Sequence, residues 1–280
     1  MTPVRDATCP AELPESVKPL LADLVSGLRR VLPEITGAWV YGSIALGAFD
    51  ERTSDIDLVV VSSERLTDDR IDQLVILHGD LPRRHVLAPR LEAQYLTLDE
   101  LREAVPTIGY PVYHEGRFER AGRGDLNATT RWVLRQHGIT LLGPPAAELP
   151  LDVSWDDVRA AMRYNLTGYW PGYATDQALP TLLADVLVVW TVATLCRILS
   201  AVADDEIVSK PAAVVEWLAR VPDRWSRLLR EVQRIQGTVD LPPGYASPLD
   251  RAGDVQGFVV WAREYGLALL NGRPARPVLP

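Results

Sequence analysis

Residues 41–57 read YGSIALGAFDERTSDID. Asp55 and Asp57 are separated by the apolar Ile56 and run straight into LVVV, so on a strand both carboxylates fall on one face. Two like charges side by side repel, and a cation is the natural way to hold them. Mg²⁺ takes one or two carboxylates and fills its remaining positions with water and substrate phosphate oxygens. A pair of such ions about 3.5–4 Å apart activates an attacking oxygen and steadies a leaving one. Upstream, Gly42 and Ser43 can turn backbone N–H groups and a short hydroxyl toward a phosphate with no Cβ in the way. Together these residues can carry out phosphoryl transfer on a magnesium-bound substrate. The competing reading of an isolated D-x-D, a solvated loop or helix cap, is weakened by the apolar β-formers that follow and the glycine turn that precedes.

Such a site needs strands to present it. AWVYGS turns to β-formers before a glycine, LVVV follows the acids, and LEAQYLTL at 91–98 alternates, giving three expected strands. Residues 14–32 carry Val17, Leu20, Leu21, Leu24, Leu28 and Leu32 at helical spacing, and LTDDRIDQLVILHGDLP has an acidic start and a helical apolar stripe. The expected order is α, β, turn, β, α, β.

From about residue 125 strand signals thin out. DLNATTRWVLRQHGI reads as a helix whose acidic start, Asp125, can cap it. The stretches 155–170, 179–202, 210–222, 224–237 and 254–270 read as further helices, divided at GPPAAELP, YWPGYATD and VDLPPGYASP. The fold class is therefore α+β, a mixed α/β domain followed by an all-α domain. The boundary lies within 125–150 and is set at 135/136, giving domains 1–135 and 136–280.

Composition narrows the function. Apolar residues make up 47% and charged residues 24% of 280, as in soluble globular proteins. A net charge of -8 argues against a nucleic-acid binder, which needs a basic surface. Cys9 and Cys196 are the only cysteines and lack metal or disulfide spacing, consistent with a reducing cytoplasm. No export signal is visible at the N-terminus. The most apolar window, 182–202, contains Asp185 and Arg197, both costly in lipid, so it reads as a buried helix and no membrane partner is expected. The histidines at 78, 85, 114 and 137 have no metal spacing and read as structural or exposed. The tryptophans at 132, 155, 190, 217, 225 and 261 read as core.

YGSIALGAFDERTSDIDL resembles the signature of the polymerase-β-type nucleotidyltransferases: a hydrophobic residue, Gly-Ser, about ten residues, then Asp-hydrophobic-Asp. That resemblance implies transfer of a nucleoside monophosphate from a nucleoside triphosphate with Mg²⁺. The superfamily often adds a third carboxylate on a neighbouring strand. Glu92 in RLEAQYLTL is the candidate, as an acid inside an expected strand.

The likeness extends along the chain. LRQHGITLLGPPAAEL, with Arg197 and Lys210 thirteen residues apart, resembles the C-terminal domain of the aminoglycoside adenylyltransferases acting on streptomycin and spectinomycin. The resemblance implies ATP as co-substrate and a small cationic, hydroxyl-bearing antibiotic as acceptor, with resistance as the physiology. By the same carry-over Glu92 takes the acceptor proton and ligates metal with Asp55 and Asp57, while Gly42, Ser43, Arg197 and Lys210 hold the nucleotide. A guanidinium and an ammonium suit a triphosphate. Trp170 resembles a family tryptophan near the drug, and Asp176 and Asp185 are the carboxylates offered to a polycation. A monomer is the default expectation. Two alternatives stand beside this reading: transfer to another small molecule or a protein, and a nucleotide-binding regulator without turnover.

Overall fold

The computed structural model describes residues 10, 12–103 and 108–272. Cys9 lies outside them. The chain divides into two compact units, 1–154 and 155–280.

The first unit is built on one six-stranded sheet. In chain order its elements are α1 (Lys18–Val31), β1 (Ile35–Val40), the single turn α2 (Gly42–Ala45), β2 (Ile56–Ser62), α3 (Asp68–Asp80), β3 (Leu91–Thr97), α4 (Leu98–Arg102), β4 (Tyr110–His114), β5 (Arg117–Gly122), α5 (Ala128–His137) and β6 (Ile139–Leu142). The strands lie in the order β5-β4-β3-β2-β1-β6. Among the described strands only β2 and β3 pair in parallel, and α3 supplies the crossover that a parallel pair needs.

Period-two alternation gives the sheet two unlike faces. Ala38, Val40, Ile56, Leu58, Val60, Leu91, Ala93 and Tyr95 point to one side, where they meet Leu20, Leu21, Leu24 and Leu28 of α1 and Leu74 and Leu77 of α3. Each valine, leucine or isoleucine so buried contributes roughly 1.5–3 kcal/mol. The opposite face carries Asp57, Glu92 and Gln94. The apolar packing behind the sheet therefore fixes the direction in which its acids point.

Three strands lie beyond the expected set. β4 and β5 form a hairpin that local pattern hides, because Pro111 interrupts the first and the second is largely polar and exposed. β6 is a half-exposed edge strand paired with β1. The expected boundary at 135/136 would cut α5 and remove β6 from the sheet, whereas the first unit runs on to 154. Helix α5 starts later than its acidic signal suggests. Asn127 is the cap, accepting from the amides of Thr129 and Thr130 at 2.8 and 3.1 Å, and Asp125 instead receives the Asn127 side-chain amide at 2.6 Å.

The second unit is helical: α6 (Trp155–Tyr164), α7 (Asp185–Asp204), α8 (Lys210–Leu218), α9 (Asp223–Gln236) and α10 (Pro248–Leu270). Helix α7 is long and apolar enough to cross a membrane, but Val188, Val192, Leu195, Cys196 and Leu199 are buried inside the protein. Trp217, Trp225, Phe258 and Trp261 fill the core against it. Two of the expected helices are broken. The segment 155–170 leaves α-geometry at Asn165, passes through a π turn to Tyr169 and a 3₁₀ turn over Trp170–Ala174, where Pro171 removes an amide donor. The segment 179–202 is divided at Ala184, whose extended ψ of 130° separates a 3₁₀ turn from α7.

Candidate active site

Strand β1 delivers its last residues onto the acidic face. The Tyr41 amide donates to the Asp57 carbonyl at 3.1 Å, continuing the β1–β2 ladder to the point where the chain turns. Gly42 then takes a left-handed φ of +64°, and a Cβ there would lie 1.9 Å from Asp57 Oδ2. Glycine is demanded twice, by the backbone angle and by the carboxylate. The next side chain, Ser43, has a buried hydroxyl with no hydrogen-bond partner among the described residues. A buried donor in that state has capacity for a ligand oxygen.

The loop from this turn to β2 is tied down. The Arg52 guanidinium grips Asp50 through two hydrogen bonds of 3.2 and 2.9 Å, and Arg90 donates to the carbonyls of Ser54, at 3.3 Å, and of Arg52. Asp55 follows directly, at the entrance to β2.

Asp57 and Glu92 are register partners on the parallel pair β2–β3, so their side chains stand next to each other on the face they share. Asp55 is two residues upstream on the same strand direction. Burial raises the Glu92 carboxyl to about 8, and the neighbouring charges of Asp55, Asp57, Glu115 and Asp125 push it in the same direction. Burial likewise raises the Tyr41 hydroxyl, with Asp57 and Asp125 adding to the effect. Among the described residues no three His, Cys, Asp or Glu side chains are gathered tightly enough to enclose an ion by themselves. Two adjacent carboxylates beside a glycine turn nonetheless fit a hard divalent ion that keeps several water or phosphate ligands. A cation here would relieve the repulsion and favour the ionised form of Glu92.

A buried hydrogen-bonded chain backs this arrangement. Gly124 N–H donates to Tyr110 Oη at 3.1 Å, Tyr110 donates to Gln94 Oε1 at 2.8 Å, and Gln94 Nε2 donates to Tyr41 Oη at 2.7 Å. Gly124 must be small, since a Cβ there would come 1.8 Å from Gln94 Oε1. Through this chain the loop before α5 is locked to the strand that carries Glu92 and to the residue before the Gly-Ser turn. His114 closes the other side, with Nε2 3.0 Å from Glu92 Oε1. Tyr41, Gln94, Tyr110, His114 and Asp125 were not legible as site residues, because each reaches the site through strand pairing or loop placement. The one local signal was Tyr41, adjacent to the turn.

The remaining expected residues lie in the helical unit. Arg197 is half-buried on α7, and Lys210 opens α8 behind the Ser209 cap and ahead of Pro211, at a helix end where a cation gains no help from the dipole. Asp176 is exposed at the start of a 3₁₀ turn. Trp170 is buried, whereas Asp185 is exposed as the first residue of α7. The Trp170 ring is only 1% exposed and packs at 5.2–5.3 Å between Tyr169, Tyr173 and Trp190. Asp185 forms a 2.6 Å ion pair with Arg251, whose other partners are Glu231 and the Leu183 carbonyl. The aromatic cluster encloses the Trp170 ring, and the buried Arg251 guanidinium requires carboxylates, which Glu231 and Asp185 supply.

Comparison with known proteins agrees with this division. Residues 21–104 match the nucleotidyltransferase domain family, and residues 153–252 match the aminoglycoside adenylyltransferase C-terminal domain family. The chain is 22% identical over 213 residues to a spectinomycin 9-adenylyltransferase of Campylobacter jejuni, covering 70% of this chain and 76% of that protein. Its fold is similar to the crystal structure of spectinomycin adenyltransferase AAD(9) from Enterococcus faecialis with ATP and spectinomycin, with a TM-score of 0.66 and 18% identity over 88% of this chain and 98% of the other. With a nucleotidyltransferase domain in its first unit and this C-terminal domain in its second, the chain is a nucleotidyltransferase with the domain pair of the aminoglycoside adenylyltransferases.

Proposed function

We propose that the enzyme transfers AMP from ATP to a hydroxyl of a small cationic antibiotic of the aminoglycoside type, and so confers resistance. The observation that carries the reading is the pairing of Asp57 with Glu92 beside the Gly42–Ser43 turn. Both similar proteins are named for spectinomycin, which makes it the first acceptor to try.

In this reading Asp55, Asp57 and Glu92 hold Mg²⁺, which when bound neutralises charge on the triphosphate. Gly42 and Ser43 receive phosphate oxygens through the turn amides and the buried hydroxyl. Arg197 and Lys210 supply further positive charge to the triphosphate. Glu92 takes the proton of the acceptor hydroxyl as its oxygen bonds to the α-phosphorus. The bond from that phosphorus to the bridging oxygen breaks, and pyrophosphate leaves with the electron pair. A carboxyl raised toward neutral pH is a stronger base than an ordinary glutamate, which suits the step. Asp176 is the exposed carboxylate offered to the acceptor's ammonium groups. In the same reading Trp170, within its cluster with Tyr169, Tyr173 and Trp190, stands near the drug, and the exposed Asp185, paired with Arg251, is a further carboxylate for the acceptor. The acidic balance of the chain fits a cationic drug, which in this reading is met in the cytoplasm.

The test is pyrophosphate release from ATP in the presence of spectinomycin, streptomycin and other aminoglycosides, with mass spectrometry for the added AMP. Release that needs Mg²⁺, is lost in Asp57→Asn and is lost in Glu92→Gln while ATP still binds would support the assignment. Turnover near the wild-type rate in Glu92→Gln would remove the base role. No adduct on any cationic drug would redirect the search to other acceptors.

A further inference from the structure

The hairpin β4–β5 ends where the acid cluster begins. His114 and Arg117 are paired across it, leaving a two-residue loop, Glu115 and Gly116, with φ of 48° and 73°. Positive φ at both central residues is the tight turn whose twist matches the flanking strands, so the position of His114 is set rigidly by backbone geometry. Ala93 pairs with Tyr113 on the antiparallel strands β3 and β4, which brings the next residue of β4 opposite the preceding residue of β3: His114 opposite Glu92. Their side chains meet, Nε2 to Oε1, at 3.0 Å.

We infer that His114 is a positioning residue for the transfer: by donating from Nε2 to Glu92 Oε1 it fixes the rotation of that carboxylate and leaves Oε2 to receive the acceptor proton. The inference rests on the reading of Glu92 as the base. A glutamate side chain has three rotatable bonds, and a base that is out of place by about 1 Å can cost on the order of 100-fold in rate. The imidazole supplies the missing restraint from a second strand. It needs no charge for this, since the neutral ring protonated on Nε2 donates as well. At 52% exposure the ring buries too little surface to act chiefly through packing.

The experiment compares His114→Leu, His114→Gln and His114→Asn with the wild type and Glu92→Gln, by steady-state AMP transfer, ATP–Mg²⁺ affinity and thermal unfolding. The Gln amide nitrogen stands at nearly the reach of Nε2, and that of Asn falls one methylene short. His114→Leu and His114→Asn should lower kcat about 10- to 100-fold with ATP affinity and acceptor KM within about twofold of wild type, while His114→Gln should recover to within about threefold. A kcat within twofold of wild type in both Leu and Asn variants would overturn the inference, as would a Gln variant no better than Asn. Should the Leu variant not fold, the Gln and Asn pair decides alone. Glu92→Gln separates the two levels: if it turns over normally the base reading itself fails, whereas if it is inactive and the His114 variants are not impaired, only the positioning role is lost.

Discussion

Asp57 Oδ2 occupies space 1.9 Å from where the Cβ of any residue but glycine would stand at position 42. The Gly42–Ser43 turn and the Asp57 carboxylate are thus fitted to each other across two strands. Gly42→Ala must either push the carboxylate away or open the turn, and must also adopt a left-handed φ, which costs about 1–2 kcal/mol. We expect urea unfolding to show a loss of that size and AMP transfer to fall by about 100-fold or more, with ATP affinity reduced. A variant with normal kcat would show that the turn and the acid are not coupled.

Glu92 gives the enzyme a pH signature. In the metal-free protein its carboxyl titrates near 8 and in the unfolded chain near 4.5. A group whose folded pKa is raised contributes stability that is complete below the unfolded value and is lost as pH rises through the folded one. Without divalent cations the melting temperature should therefore decline between about pH 4.5 and 8 by a component that Glu92→Gln removes. Because the proposed base, Glu92, works only when ionised, kcat/KM should climb with pH, and added Mg²⁺ should move the rise to lower pH. A profile insensitive to both the metal and the substitution would refute the assignment.

A second titration lies on the far face of the sheet. His78 is buried, bonded through Nε2 to Tyr95 Oη at 2.5 Å and stacked on Tyr113 at 4.1 Å, and burial lowers its pKa from 6.5 to about 3. A depressed folded pKa contributes stability present above 6.5 and lost as pH falls through 3. Denaturant midpoints measured from pH 7 to 3 should fall along this limb, and His78→Gln should flatten it while keeping a partner for Tyr95. Retention of the same slope in the variant would place the acid sensitivity elsewhere.

The unit boundary can be tested by truncation. Trp39 Nε1 donates to the Pro144 carbonyl at 2.9 Å, and β6 covers the β1 edge. A fragment of residues 1–154 should unfold cooperatively, whereas 1–135, lacking β6 and exposing β1, should aggregate or melt without cooperativity. Equal behaviour of the two fragments would return the boundary to 135/136.

Elements whose signal is local are legible in the sequence. The Gly-Ser turn, the acid pair, the strands at 56–62 and 91–97 and the helices at 18–31 and 68–80 all announce themselves through spacing within one short window. Errors occur where a partner distant in sequence decides. β6 is a strand because β1, far upstream in the chain, offers it an edge, and β4 is a strand because β3 pairs with it although Pro111 interrupts its local pattern. His114, one of four scattered histidines, carries no local signal, and only the hairpin sets it against Glu92.

By itself the sequence determined which chemistry is available: carboxylates at period two, a glycine where no side chain fits, and apolar stripes that commit each element to one face. Only the tertiary structure decided which groups stand beside those carboxylates, because strand register and buried hydrogen bonds join residues far apart in the chain, and no local pattern encodes that juxtaposition.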